Sequence, residues 1–183
     1  MTVAVIGAGI VGVATAIWLA RDGNDVTLVD RIAPGEATSH GNGGVLASCA
    51  VVPVTVPGLP AKAPRMLLDR QSPLFLRWSY LPRLLPWLAK YLSHCTEAET
   101  RRIAAALLPV IGDSLEQHQA LARGTGAERW LRESDYLYVY RDRAAFEADR
   151  FAWSLRRAAG FRWDLLEDTE LHDYEPLIGP ENR

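Results

Sequence analysis

Three glycines, Gly7, Gly9 and Gly12, follow directly on the short apolar run Val3, Val5 and Ile6, and that pairing constrains the chain more than any other feature. Such a run reads as a buried parallel strand, and glycines at G-x-G-x-x-G spacing after it suit a sharp turn into a helix. Gly7 permits the turn, Gly9 keeps a Cβ out of the path of a pyrophosphate, and Gly12 lets the helix lie close to the strand. The helix draws its small and apolar faces from Ala14, Ala16, Ile17, Leu19 and Ala20, with Gly23 as a left-handed cap. A second strand, Val26–Val29, delivers Asp30 eighteen residues after Gly12. An acidic side chain there bonds ribose hydroxyls and repels a 2′-phosphate, so the unit fits a dinucleotide other than NADP. The pyrophosphate would rest at the positive end of the helix, on the amides around Ile10, Val11 and Gly12. The unit alone does not separate FAD from NAD.

After Asp30 come Arg31, a Pro-Gly turn and the run Thr38-Ser39-His40-Gly41-Asn42-Gly43-Gly44. Small hydroxyl, amide and glycine residues let a backbone lie against phosphates, a ribityl chain and a flat ring. The same composition describes a plain surface loop. From composition, both readings stand.

Taken together, Gly7/Gly9/Gly12, Asp30-Arg31 and Thr38-Ser39…Asn42-Gly43-Gly44 resemble the N-terminus of FAD-dependent amine and amino-acid oxidoreductases of the D-amino-acid oxidase type. The nearest likeness is to the bacterial D-amino-acid dehydrogenase branch, with its hydroxyproline dehydrogenase-like members. Val56-Pro57-Gly58-Leu59-Pro60, the segment Pro73–Trp78 and the run Leu165-Leu166-Glu167…Leu171…Tyr174-Glu175-Pro176 extend the resemblance over essentially the whole chain. It implies an α/β fold: a Rossmann-like FAD-binding βαβ unit followed by helical segments and part of an α+β substrate domain. Residues 1–60 would form the N-terminal part of the FAD-binding domain, and 61–183 a helical region and partial substrate domain. FAD would be held by Gly7, Gly9, Ile10, Val11, Gly12, Asp30, Arg31, Thr38, Ser39, Asn42, Gly43 and Gly44.

The implied reaction is oxidation of an amino acid, a D-amino acid or a hydroxyproline-like one, to an imine that hydrolyses to a 2-oxo acid and ammonia. In such enzymes the flavin accepts the hydride while the protein positions the substrate. A quinone or another acceptor would reoxidise the flavin in a dehydrogenase, and oxygen in an oxidase. The arginine that would grip the substrate carboxylate lies, in the family, beyond Arg183, so no catalytic residue is named. Two departures stand out. Gly43 occupies a position often held by alanine in the branch, and His40 one usually held by a small or aromatic residue; His40 reads as a loop histidine without a catalytic role. Family members are typically more than twice as long as these 183 residues. The resemblance therefore implies an incomplete fold, activity belonging to the intact enzyme, and exposed apolar surface that favours homo-oligomers or poor solubility.

Composition fits a globular chain: 49% apolar residues, 23% charged and a formal charge of −2 point neither to disorder nor to nucleic-acid binding. The apolar strand begins at residue 2 with no basic flank, unlike a secretion signal. No apolar run approaches the ~20 residues of a membrane span. Cys49 and Cys95 lack CxxC or metal spacing and read as reduced structural thiols in a cytoplasmic setting. His40, His94, His118 and His172 are scattered, so no metal site is expected.

Beyond the dinucleotide unit, Val51–Pro64 reads as an extended, proline-rich connection. Leu74–Leu92 is dense in leucine and aromatics, and Pro82 and Pro86 are expected to split it into short helices. Trp78 and Trp87 read as core residues. With Arg77, Arg83 and Lys90, the same stretch also suits peripheral contact with the inner membrane beside a quinone. Thr96 and Glu99 form a capping box for a long helix through Leu121, kinked at Pro109 and stopped at Gly124. Tyr136–Tyr140 reads as a strand, Arg143–Ala159 as a helix stopped by Gly160, and Phe161–Leu165 as a short strand. Asp168-Thr169 caps a last short helix.

Two rival readings share the N-terminal unit. An NAD-dependent dehydrogenase would continue in alternating helices and parallel strands, whereas this chain turns proline-rich and helical. A non-catalytic nucleotide-binding fragment or subunit is the other.

Overall fold

The computed structural model describes residues 1–68, 77–167 and 169–178. In chain order its elements are β1 (Thr2–Ile6), α1 (Ile10–Arg21), β2 (Asp25–Val29), α2 (Leu59–Leu68), α3 (Leu81–Ser93), α4 (Glu97–Ile111), α5 (Ser114–Ala122), α6 (Arg143–Ala148), α7 (Arg150–Ala158) and α8 (Thr169–Tyr174). Single 3₁₀ turns stand at Trp78–Tyr80 and Glu128–Trp130. The chain divides into two compact units, Met1–Ala47 with Asp113–Ser134, and Ser48–Gly112 with Asp135–Arg183.

The first unit contains the βαβ structure that the glycine spacing predicts. β1 and β2 pair in parallel, Val3 opposite Val26 and Val5 opposite Leu28. The period-two alternation of a strand puts these four on the more buried face, while Ile6 and Val29 are exposed on the other at 87% and 48%. Gly23, at φ 82°, ends α1 as expected. The Asn24 amide then reaches back to the Leu19 carbonyl at 3.1 Å and the Gly23 amide to that of Ala20 at 3.0 Å, the paired bonds of a Schellman stop. Arg21 donates to the last carbonyls of α5, Ala120 at 2.8 Å and Leu121 at 3.0 Å. A cation at the negative end of a helix is favourable.

The second unit is helical, and among its described residues no strand forms. Val51 and Thr100 are fully enclosed, and Ala104, Phe146, Ala152, Leu155 and Leu171 are also buried. The Thr100 hydroxyl lies 2.7 Å from the carbonyl of Thr55, tying α4 to the segment after Ser48. An aromatic cluster joins Tyr138, Tyr140, Phe146, Trp153 and Trp163. Within it the Trp153 indole donates to the Tyr140 hydroxyl at 2.9 Å, and that hydroxyl to Asp149 at 2.6 Å. Burial, foremost, and the Asp149 carboxylate push the Tyr140 phenol up to about 12. At α4 the Thr96 hydroxyl accepts the Glu99 amide at 3.3 Å as the capping box requires, but the Glu99 carboxylate turns to Arg102 and His94 instead of back to Thr96.

Several expectations are corrected. The proline-rich connection gives way to helix at Leu59, leaving Pro60 in a first turn that has no use for its missing amide. Pro86 does not split its segment: one helix runs through it, giving up a single bond to the Pro82 carbonyl, while Trp87 and Tyr91 stack one turn apart at 5.0 Å. Trp78 and Trp87 are not core; they are 61% and 58% exposed. Pro109 sits inside α4, and the break falls at Gly112-Asp113, where Asp and Ser prefer to start a helix rather than continue one. The helix expected over Arg143–Ala159 is broken at Asp149 for the same reason. Tyr136–Tyr140 and Phe161–Leu165 carry strand-like composition but join no ladder. Strand propensity reports fitness for a pleated surface and cannot supply a partner. Leu74–Leu76, Pro73 and Asp168 lie outside the described residues.

Thr100→Val preserves the shape of the site and removes its hydroxyl donor. The expected cost is about 1–2 kcal/mol, seen as a lower urea midpoint with an unchanged slope; an unaltered midpoint would show that the Thr55 bond carries no stability.

Candidate dinucleotide site

The strand-to-helix turn is shaped by its glycines. Gly7 has φ 105° and its amide donates to the Val29 carbonyl at 2.8 Å, so the turn leaves β1 while still bonded to β2. A Cβ on Gly12 would stand 1.7 Å from the Gly7 carbonyl oxygen, which fixes glycine at the third position. A Cβ on Gly9 would stand 3.1 Å from the Ser39 hydroxyl, so the second glycine holds open the space between the helix start and the following loop.

α1 begins with no side-chain cap and no acidic residue in its first turn. The Ile10 amide donates to the Ser39 hydroxyl at 2.9 Å. The amides of Val11 and Gly12 have no hydrogen-bond partner among the described residues. Unpaired amides at the positive end of a helix make an anion site, and the glycine cradle leaves the backbone bare where a pyrophosphate would approach.

Asp30 directly follows β2, and its carboxylate accepts three backbone amides. One carboxylate oxygen accepts the Ala8 amide at 2.6 Å; the other accepts the Arg31 amide at 2.6 Å and the Ile32 amide at 3.3 Å. These bonds, Ala8 foremost, hold its carboxyl below the usual carboxylate range. A carboxylate offers about four acceptor positions, so three amides leave room for one ribose hydroxyl directly. Arg31 itself is exposed.

Ser39 is the part of the loop brought to the helix. Asn42 shapes the turn beyond it, its amide donating to the Ser39 carbonyl at 2.6 Å and its oxygen accepting the Gly44 amide at 2.7 Å. Gly44, at φ 64°, uses the left-handed region, whereas a Cβ on Gly43 would meet nothing closer than 4.0 Å, so glycine is not forced there. Thr38 and His40 are exposed on the same loop. Sequence reasoning missed Ala8. It is 2% exposed, its amide is held by Asp30, and its carbonyl accepts the Gly35 amide at 2.8 Å. Its place between the first two glycines was the available signal.

Comparison with known proteins agrees with this geometry. The family model described as FAD dependent oxidoreductase matches residues 2–182. A D-amino-acid oxidase of Bradyrhizobium diazoefficiens is 41% identical over 181 residues, covering 97% of this chain and 43% of the relative. D-amino acid dehydrogenase 2 of Ralstonia nicotianae is 37% identical over 97% of the chain and 42% of its own length. A D-amino acid dehydrogenase of Vibrio cholerae is 33% identical over 98% and 43%. The chain thus spans less than half the length of these curated relatives. No solved structure matches it. With a family model that matches residues 2–182, the chain belongs to the FAD dependent oxidoreductase family.

Proposed function

We propose that residues 1–60 bind the adenosine diphosphate half of FAD, and that the whole protein oxidises the C–N bond of an amino acid. The observation that carries the reading is the junction of a bare helix start, a cradle a Cβ would fill, and a carboxylate at the end of the second strand. On this reading the Val11 and Gly12 amides face the pyrophosphate and the Ser39 hydroxyl exchanges its bond with Ile10 for one to a phosphate oxygen. Asp30 accepts a ribose hydroxyl, and Arg31, Thr38, Asn42, Gly43 and Gly44 border the cofactor along the loop. Bound FAD supplies the hydride acceptor.

The chemistry removes the substrate's Cα hydrogen as hydride and the amine proton to solvent, giving an imine that water converts to a 2-oxo acid and ammonia. Relatives named as D-amino-acid oxidase and as D-amino acid dehydrogenase favour a D-amino acid, and they leave both oxygen and a quinone as electron acceptor. Exposed Trp78 and Trp87 beside Arg83 and Lys90 support peripheral contact with an anionic membrane for the dehydrogenase form. No helix among the described residues is long and apolar enough to cross one. An NAD-dependent dehydrogenase is disfavoured by the family match.

Two outcomes are expected. Gly12→Ala forces the turn open and abolishes flavin retention on desalting, while Asp30→Asn weakens FAD binding about tenfold through loss of a charged hydrogen bond; retention unchanged in both would remove these residues from the site. For the reaction, anaerobic mixing of the flavin-loaded full-length protein with D-amino acids should bleach the oxidised-flavin absorbance and release a 2-oxo acid. A band left intact by every amino acid of either hand would refute the assignment.

A further inference from the structure

The second unit holds a buried cation that donates a side-chain hydrogen bond to the Tyr138 hydroxyl but that no carboxylate among the described residues pairs with. Arg156, on α7, is 6% exposed. Its guanidinium carbon stands 4.3 Å from the ring centre of Tyr138 and 4.5 Å from that of Trp153. Its Nε and Nη1 are enclosed without a hydrogen-bond partner, and no carboxylate of the described residues forms an ion pair with it. The Trp163 indole nitrogen, in a ring 4.9 Å from Trp153, is likewise enclosed without an acceptor.

Nearby acids are committed elsewhere. Asp149 takes the Tyr140 hydroxyl, and Glu147 and Glu167 pair with Arg143. Burying a guanidinium is costly unless it is paired and hydrogen-bonded. Aromatic faces offset part of that cost, but they do not accept the in-plane N–H bonds. Arg102 in the same chain shows what the fork takes when a partner is available: its Nε and Nη2 hold Glu99 at 3.1 and 2.8 Å. Tyr138 lies in a segment that joins no ladder, between Leu137 and Val139, which are both exposed. Its ring can therefore shift without breaking a sheet.

We infer that Arg156 is the cation of a carboxylate-binding site in this aromatic cluster, walled by Tyr138 and Trp153. Such a site goes beyond the dinucleotide site and is independent of it. The carboxylate is either a free small molecule or an acidic side chain of the protein itself.

The test uses the full chain, wild type and with Arg156→Lys, Arg156→Gln and Trp163→Phe, each checked for folding by circular dichroism. Sodium acetate, against sodium chloride at equal ionic strength, is followed by tryptophan fluorescence, and the Arg156 Nε–H by NMR. A free carboxylate predicts a saturable acetate response in wild type, weakened about tenfold in Arg156→Lys, which loses the two-point fork, and absent in Arg156→Gln. An acidic side chain predicts no acetate response, with a protected Nε–H at neutral pH that becomes exchangeable as pH falls through about 4. Neither an acetate response nor a protected Nε–H, or an acetate response that survives Arg156→Gln, overturns the inference. If Arg156→Gln does not fold, Arg156→Lys decides: an undiminished response there counts against it. Trp163→Phe, which keeps the ring, reports whether the indole N–H takes part and should weaken the response several-fold.

Discussion

Asp30 binds the start of the molecule together. Its carboxylate takes the amide of Ala8 from the glycine turn and those of Arg31 and Ile32 from the chain leaving β2. Without an acceptor there, the turn between Gly7 and Gly12 would present a row of unpaired amides at the end of a two-stranded sheet. With it, the backbone is held in a shape that only glycine can adopt at Gly12, and the remaining amides of α1 are left for an anion. On the proposed reading, the charge that orders the turn would also be the charge that recognises a ribose. One residue would then serve both the fold and the ligand.

Features set by local stereochemistry were legible in the sequence. The glycine turn, the stop at Gly23, the hydroxyl cap at Thr96 and the acid at Asp30 each answer a need fixed within a few residues or one strand length. The backbone of the βαβ unit was therefore readable, apart from the buried role of Ala8. Features set by distant partners were not. Tyr136–Tyr140 has the residues of a strand, but a strand exists only by pairing. Pro86 does not split α3, because a single lost bond is outweighed where leucines and aromatics continue along one face. The helices end instead at Asp113 and Asp149, because aspartate offers the chain an alternative start. The exposure of Trp78 and Trp87 depends on what packs against them, and composition says nothing of that.

Arg156 shows the same limit. In sequence it is one of two adjacent arginines near the end of an amphipathic helix, no different in kind from Arg157. Only packing reveals that it is enclosed among aromatic rings while its neighbour is exposed. The two candidate sites also differ in kind. The proposed dinucleotide site would offer backbone amides to a phosphate ester, whereas the aromatic cluster holds a single buried guanidinium. Membership of the flavin-dependent family accounts for the first and leaves the second to its own chemistry.

If the N-terminal unit recognises the adenylate half of a flavin dinucleotide, its affinity must follow the adenosine and not the ring alone. Calorimetric titration of the purified chain with FAD, FMN and NAD separates the two, since FMN carries the ring but lacks the adenosine that Asp30 would hold. FAD should bind, NAD should bind more weakly and FMN should not bind. Equal affinity for FMN and FAD would rule that recognition out, and tighter binding of NAD would overturn the preference for a flavin.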